Sequence, residues 1–241
     1  MIDLHSHVLP GLDDGPRDLE GAIEICRAAA DEGIEVLAAT PHVRDDFPTT
    51  PEQMEEALAI VRAAVGDVVR LVPGGEVAVT ELSRPVEELR RFGLAGNPAY
   101  LLVETPYFAW PSDFAERVTR LAADGIRAVI AHPERNPAVQ DKPRLVEDVV
   151  EAGALVQLTA GSLDGRLGWR AQACGVELLE LGLAHLIASD AHAPTLRAIG
   201  MRSAARAVED DELAQWLTVD LPRAIVDGGE LPERPGRRRR R

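Results

Sequence analysis

The amino-acid sequence predicts one α/β domain whose parallel strands close into a (β/α)7 TIM-like barrel. Short apolar runs alternate with helical segments in units of roughly 30 residues, which is typical of strands joined by crossover helices. The runs lack polar alternation, as expected for strands buried on both faces. A length of 241 residues is also near the usual size of one such barrel. The competing architecture is an open, doubly wound sheet.

The predicted strands decide between these two architectures, because six of the seven end beside His, Asp or Glu. A closed barrel brings all strand carboxyl ends to one rim, whereas an open sheet gathers a site from only a few neighbouring strands. Only the sixth predicted strand ends without His, Asp or Glu, and the residue at its end is Thr159. The strands are predicted around Asp3–His7 and at Val36–Thr40, Val68–Val72, Tyr100–Val103, Arg127–Ala131, Leu155–Leu158 and Leu186–Ala188.

Helical periodicity fills the intervals between these strands. Thr50 followed by Pro51 is a typical helix start, with Thr50 as N-cap and Pro51 as first helical residue. Ser112 is predicted to cap a later helix. The helices are predicted at Arg17–Glu32, Pro51–Val65, Pro85–Phe92, Ser112–Ala123, Pro143–Ala152, Trp169–Leu181, Leu196–Val208 and Asp211–Ile225.

Composition limits the classes of function. The hydrophobic share of 46% is that of an ordinary globular protein. A net charge of −14 argues against nucleic acid as a partner, because phosphate backbones repel an acidic surface. Two cysteines form no disulfide framework, and the sequence has neither a signal peptide nor a long apolar run, so we expect a cytoplasmic protein.

The first strand carries the clearest chemical signal, the pair His5 and His7. Side chains two positions apart on a strand point to the same face, so both imidazoles can bind one cation. Imidazole is the commonest nitrogen ligand for zinc, manganese or iron. The other His, Asp and Glu residues at strand ends extend this pair into a predicted metal site. The glycines before Glu76 are not a phosphate-binding loop, since no Gly-Lys-Ser/Thr follows, and are expected to turn the backbone so that Glu76 faces the ions.

Seven short motifs carry a family resemblance that runs from Met1 to about Ile225. The motifs DLHSH, DDGP, ATPH, GGEV, VETP, AHPER and ASDAH resemble the PHP (polymerase and histidinol phosphatase) superfamily. Within it the chain is similar to the bacterial manganese-dependent protein tyrosine phosphatases linked to capsule and exopolysaccharide synthesis. The resemblance implies a distorted seven-stranded barrel (the PHP fold) over residues 1–228 that holds three divalent ions, most often Mn²⁺, with Fe or Zn as alternatives.

The resemblance also implies how nine residues share these ions. The first ion would be held by His5, His7 and Asp190, with Glu76 bridging to the second. The second would be completed by Glu104 and His132. Asp14, His42 and His192 would hold the third. Either Asp13 or Asp14 could be the ligand, and we expect Asp14.

Residues outside the ligand set are expected to bind the substrate. Guanidinium matches phosphate oxygens, and the family has arginines at the positions of Arg135 and Arg197. Tyr107, Phe108 and Trp110 follow the fourth strand closely and would either contact a phenyl ring or form a lid. A cysteine nucleophile is excluded, because no arginine stands six residues after either Cys26 or Cys174.

These parts predict hydrolysis of protein phosphotyrosine by a metal-activated hydroxide. The expected partner is a phosphoprotein, in particular a membrane-associated tyrosine kinase of exopolysaccharide synthesis. One alternative is a small-molecule phosphatase, such as one acting on histidinol phosphate, and a more distant one is a non-catalytic kinase-binding regulator. Residues 229–241 are predicted to be a disordered tail whose six arginines contact an anionic membrane, which would place the enzyme at the inner membrane face.

Overall fold

The computed structural model describes residues 1–195 and 198–236, and it has the predicted barrel architecture. Every predicted strand is present, and β3 and β4 add an antiparallel hairpin. The strands are β1 (Ile2–Ser6), β2 (Val36–Ala39), β3 (His42–Arg44), β4 (Phe47–Pro48), β5 (Arg70–Pro73), β6 (Glu76–Ala78), β7 (Tyr100–Glu104), β8 (Arg127–Ala131), β9 (Leu155–Thr159) and β10 (Leu186–Ala188).

Two parallel ladders meet to close the barrel. One ladder has the order β1-β2-β5, and the other has the order β10-β9-β8-β7-β6-β3, with β4 at its edge. A parallel bridge between Ser6 and Ala191 joins the end of β1 to the segment after β10. The backbone N–H of His7 donates to Ala191 O at 2.8 Å, and that of Asp190 donates to His5 O at 2.9 Å. The first and last strands therefore meet at the rim.

The barrel is distorted because its second and third strands are each broken in two. Thr40 and Pro41 separate β2 from β3, and Gly74 and Gly75 separate β5 from β6. At the second break, Gly75 N donates to Phe92 O at 3.0 Å, and a Cβ on Gly75 would lie 2.7 Å from the Phe92 ring. A glycine is therefore needed for this close approach, which directs the following strand, β6, toward the rim.

Helices pack around the strands and bury the apolar side chains of the core, of which Phe92 and Phe114 are the largest fully buried ones. The helices are α1 (Leu19–Asp31), α2 (Pro51–Val65), α3 (Val86–Arg91), α4 (Phe114–Ala123), α5 (Pro137–Asp141), α6 (Glu147–Glu151), α7 (Ala160–Leu163), α8 (Trp169–Glu180), α9 (Met201–Ala207), α10 (Asp211–Gln215) and α11 (Leu221–Asp227).

Helix boundaries agree with the sequence where a cap decides them. Thr50 caps α2 in a reciprocal capping box with Gln53, as the Thr50-Pro51 pair predicted. The prediction for Ser112 was wrong, since α4 begins after Asp113. Short helices α5 and α7 were not predicted. None of the helices in the described ranges has the length and apolar composition needed to span a bilayer.

The segment after α11 contacts the barrel as far as Arg234. Trp216 Nε1 donates to Pro232 O at 3.1 Å. The Arg234 guanidinium donates to Leu179 O at 3.0 Å and also to Ala184 O. The tail predicted from residue 229 is therefore docked over its first part, while Arg237–Arg241 lie outside the described residues. Disorder of that last part stays a prediction.

Replacing Gly75 by Ala should lower the free energy of unfolding by about 1–3 kcal/mol, because the new Cβ overpacks against Phe92. Gly229→Ala is the matched control, since no atom lies within 4 Å of its Cβ position. Urea unfolding of both variants measures the difference. Equal stabilities would contradict the close packing described for Gly75.

Candidate metal centre

All nine predicted ligands lie at the carboxyl rim of the barrel, within one cluster. Their donor atoms form four overlapping groups, and within each group the atoms lie within 4.8 Å of one another. Eight of the nine residues are buried and Asp14 is partly exposed. The groups are His7, Asp14, His42 and His192; His5, His7 and Asp190; His5, Glu76 and His132; and His42, Glu76 and Glu104.

Glu76 lies at the centre of this cluster with its carboxylate fully buried. Oε1 lies 2.8 Å from His132 Nε2 and 3.4 Å from His5 Nε2. Oε2 lies 2.7 Å from His42 Nδ1 and 3.3 Å from His7 Nε2. Burial alone would raise the pKa of Glu76, but the surrounding histidines hold it well below its usual value. Each oxygen of the carboxylate therefore faces a different pair of imidazoles.

His5, His7 and Asp190, the residues expected on the first ion, form one of the four groups. Asp190 Oδ1 lies 3.5 Å from His5 Nε2 and 3.3 Å from His7 Nε2. The Asp190 backbone is left-handed at a φ of 52°, and that of His132 is left-handed at 34°. Non-glycine residues rarely adopt this conformation, and such strain is common at functional sites. Two strand ends thus use unusual backbone geometry to turn a side chain into the cluster.

The two neighbouring aspartates of the first loop have different partners. Asp13 Oδ2 lies 2.7 Å from His7 Nδ1 and accepts the His42 N–H at 2.9 Å, while Oδ1 accepts the Gly15 N–H at 3.0 Å. Asp14 Oδ1 instead lies 3.0 Å from His192 Nε2. Asp13 therefore orients a histidine and the turn, while Asp14 shares a group with His42 and His192, the other two residues expected on the third ion.

Glu104 and His132 do not share a group, although both were expected on the second ion. His132 lies beside His5, and Glu104 lies beside His42, with Glu76 between them. Burial and the nearby Glu76 charge raise the pKa of Glu104 to about 7. Arg44 NH1 opposes this shift, because it donates to the two Glu104 oxygens at 3.1 and 3.3 Å.

The expected substrate-binding residues occupy the same rim where they can be described. Arg135 NH1 donates to Asp190 Oδ2, with only 24% of the arginine side chain exposed. Tyr107 and Phe108 are 65% and 86% exposed, whereas Trp110 packs edge-on against Phe114. Arg197 lies outside the described residues.

Asn136 joins the loop that carries Tyr107 and Phe108 to the loop that carries Arg135. Its Nδ2 donates to Pro106 O at 2.8 Å and to Ala109 O at 3.1 Å. The backbone on either side of Tyr107 and Phe108 is therefore held by a residue of the His132 loop.

The donor set fits divalent metal ions. His5 Nε2 faces His7 Nε2 at 3.2 Å, so two ring nitrogens converge on the same space. His42 Nδ1 and Glu76 Oε2 are 2.7 Å apart, yet neither has a partner with hydrogen-bond geometry among the described residues. A cation between such atoms would satisfy both. Imidazole and carboxylate without thiolate suit manganese, iron or zinc.

Sequence reasoning missed three polar residues of this site, namely Arg44, Gln157 and Glu134. Arg44 stands two positions after His42 on β3, so strand alternation could have found it. Gln157 accepts from His5 and His132, and the buried Glu134 accepts from Thr159 N and Ser162 Oγ. These four contacts join residues distant in sequence, and no local pattern indicates them.

The fold and this cluster together define a barrel protein with a candidate polynuclear metal centre. The family model for capsular polysaccharide synthesis, CpsB/CapC, matches residues 1–226. The chain therefore belongs to the CpsB/CapC family.

Individual relatives match over nearly the whole chain. Tyrosine-protein phosphatase YwqE of Bacillus subtilis is 33% identical over 96% of this chain and 91% of its own. Tyrosine-protein phosphatase CpsB of Streptococcus pneumoniae is 26% identical over 94% and 98%. A chain from the crystal structures of YwqE and CpsB, described as unique metal-dependent tyrosine phosphatases, is 30% identical with a TM-score of 0.86, covering 99% of this chain and 100% of its own.

Replacing Glu76 by Gln should release bound metal while the barrel stays folded, because the amide has nearly the same shape but no charge. Removing a residue that only hydrogen-bonds to a metal ligand typically lowers metal affinity by about 10–100-fold. Loss of the central carboxylate should lower the affinity by at least as much. Metal analysis of the purified variant and its circular dichroism measure the two effects. The control is Glu177→Ala on the exposed face of α8. Full metal content in Glu76→Gln would exclude the bridging assignment.

Proposed function

We propose that this chain is a metal-dependent phosphomonoesterase that hydrolyses protein O-phosphotyrosine. The observation that carries the proposal is the rim cluster of five histidines and four carboxylates, with Glu76 as its central carboxylate. Support comes from the relatives named tyrosine-protein phosphatase, which match the chain almost end to end. The proposed setting is the one that the family description names, capsular polysaccharide synthesis, or the related synthesis of exopolysaccharide.

The proposed cofactors are three divalent ions, with Mn²⁺ as the first choice. His5, His7 and Asp190 would hold the first, and Asp14, His42 and His192 the third. The second would lie between His132 and Glu104, which are too far apart in the ion-free geometry to form one group. Glu76 would bridge the first and second ions.

Bound divalent ions would lower the pKa of a water from about 15.7 toward neutrality and so supply hydroxide as the nucleophile. The protein's own residues position the ester for this attack. Arg135 is fixed through NH1 by Asp190, and we assign its other N–H groups to the phosphate oxygens. Arg44 beside Glu104 brings a second positive charge to the opposite side of Glu76. Arg197 is proposed as a third contact.

Departure of the phenolate requires less assistance from the protein than departure of the alkoxide of an alkyl phosphate. Phenol has a pKa of about 10, so the leaving group needs no dedicated proton donor. A cleft of about 400 Å³ opens beside Asp14 and His192, between Pro16 and Pro194. We propose that this cleft receives the tyrosine ring or the adjoining peptide, and that Tyr107 and Phe108 contact the phosphoprotein.

A small-molecule phosphatase acting on histidinol phosphate is the second candidate, since the same metal set would serve an alkyl phosphate. Turnover of a phosphotyrosine peptide and of histidinol phosphate, measured side by side before and after chelation, separates the two. We expect the peptide to be hydrolysed with the higher kcat/KM. No hydrolysis of either substrate by the metal-loaded protein would instead favour a non-catalytic kinase-binding regulator.

Activity should disappear with EDTA and persist after iodoacetamide treatment. Both cysteines are buried, and burial raises the pKa of Cys26 and of Cys174 to about 12, so neither supplies a thiolate. The measurement is release of phosphate from a phosphotyrosine peptide, with Mn²⁺ added back after chelation. Inactivation by iodoacetamide together with an inactive Cys26→Ser variant would contradict the metal mechanism.

The proposed partner is a membrane-associated tyrosine kinase, reached through the arginines at the end of the chain. Each arginine close to an anionic surface contributes about 1 kcal/mol of attraction. Such attraction would hold the enzyme at the inner membrane face and raise its local concentration near the kinase.

Deleting Arg237–Arg241 should leave turnover of a soluble phosphopeptide unchanged and weaken sedimentation with phosphatidylserine vesicles at low salt. The difference should shrink as salt rises, because counterions screen the attraction. Replacing the same five arginines by glutamines is the length-matched control. Equal sedimentation of full-length and truncated protein would exclude a membrane role for the tail.

A further inference from the structure

Strand β9 contributes no candidate metal ligand, yet it places one buried amide against the cluster. Gln157 is fully buried between Val156 and Leu158, and it pairs with Ala131 in β8 and Leu186 in β10. Its Oε1 lies 3.0 Å from His5 Nδ1 and 3.3 Å from the backbone nitrogen of His132. One oxygen therefore contacts two strands that carry candidate ligands.

The hydrogen-bonding capacity of each group identifies which Gln157 atom faces His5 and His132. A backbone N–H only donates, so the Gln157 atom facing His132 N has to be the oxygen, whichever way the amide is placed. The same oxygen faces His5 Nδ1, which must then carry a hydrogen to form its bond. A neutral His5 consequently has its free lone pair on Nε2, the nitrogen directed at His7, Glu76 and Asp190.

The second contact supports the strained end of β8. His132 has a left-handed backbone at a φ of 34°, and its N–H is directed at the Gln157 side chain. This conformation turns His132 Nε2 toward Glu76 at 2.8 Å. Gln157 thus contacts one candidate ligand through its ring and another through its backbone.

The amide is not explained by stability of the barrel alone. Gln157 Nε2 is buried and has no hydrogen-bond partner among the described residues. A buried donor without a partner destabilises a fold, and the neighbouring positions of β9 are apolar. An apolar side chain of similar length would avoid this penalty, at the expense of the acceptor for the His132 N–H.

We infer that Gln157 is a positioning residue of the metal centre: its Oε1 keeps hydrogen on His5 Nδ1, so that Nε2 is free to bind an ion, and it holds the left-handed turn that aims His132. The inference rests on the proposed metal-dependent function and extends it to a strand that supplies no ligand. Partners of ligating histidines in general fix the tautomer and the ring orientation.

The test compares three variants by their affinity for Mn²⁺, measured by competition with a chelator. Gln157→Met removes the acceptor at similar volume and should weaken Mn²⁺ binding by about 10–100-fold. Gln157→Glu retains an acceptor for both N–H groups and should bind at least as tightly as the wild type. Gln172→Met is the matched control, because Gln172 donates to Leu163 O at 3.1 Å away from the cluster, and it should bind as the wild type does.

A second measurement separates positioning from stability. The melting temperature of metal-free Gln157→Met should lie close to that of the wild type, because loss of the acceptor for the His132 N–H is offset by loss of the unpartnered Nε2 donor. Long-range ¹H–¹⁵N spectra of the Zn²⁺-loaded wild type should show the hydrogen of His5 on Nδ1, with exchange slowed by its bond to Gln157. In Gln157→Met that proton should exchange faster.

Each outcome decides for or against the inference. A Gln157→Met variant with wild-type Mn²⁺ affinity overturns the inference. A parallel fall in the metal-free melting temperature of the Met and Glu variants also overturns it, because such a fall assigns Gln157 a structural role. Detection of the His5 hydrogen on Nε2 overturns it as well. A wild-type protein that binds no divalent metal would instead contradict the proposed function, independently of the variants.

Discussion

The arrangement of the rim depends above all on one buried carboxylate, that of Glu76. A carboxylate without solvent is strongly unfavourable unless positive charge surrounds it. Four imidazoles from three other strand ends supply the contacts, at 2.7 to 3.4 Å. The rim can close around this group only because these strands converge there. Barrel closure and site assembly are therefore one constraint, since the residues that meet at the rim belong to strands distant in sequence.

The broken strands are the local means by which this convergence is achieved. Without these breaks, β2 and β5 would continue straight past the rim. The breaks at Pro41 and at Gly74-Gly75 instead let β3 and β6 pair with each other, with His42 opposite Glu76. His42 Nδ1 then reaches Glu76 Oε2 at 2.7 Å. Proline removes a backbone donor and glycine permits close packing on Phe92, so both breaks follow from the residues present.

The fold could be predicted from the sequence because its signals are local. Apolar runs such as Arg127–Ala131 coincide with the observed strand β8, and the Thr50-Pro51 pair marked the start of α2. The ligand types were also visible, since they follow those runs directly. What local signals could not predict were contacts across the barrel. The separation of Glu104 from His132, the distinct roles of Asp13 and Asp14, and the contact between Gln157 and His5 all depend on which side chains meet in space.

The charge of the chain creates a further requirement on the site. A protein with a net charge of −14 repels a phosphate ester, and the four carboxylates of the cluster add to that repulsion at the point of binding. Arg44 and Arg135 each lie against one of these carboxylates, Glu104 and Asp190. Their charges are thus partly neutralised in the absence of ions. Divalent ions that bind the same carboxylates would take over this neutralisation, so the charge of both guanidiniums would be available to an incoming phosphate. Metal loading and substrate binding would thus be coupled through two arginines that bind no metal themselves.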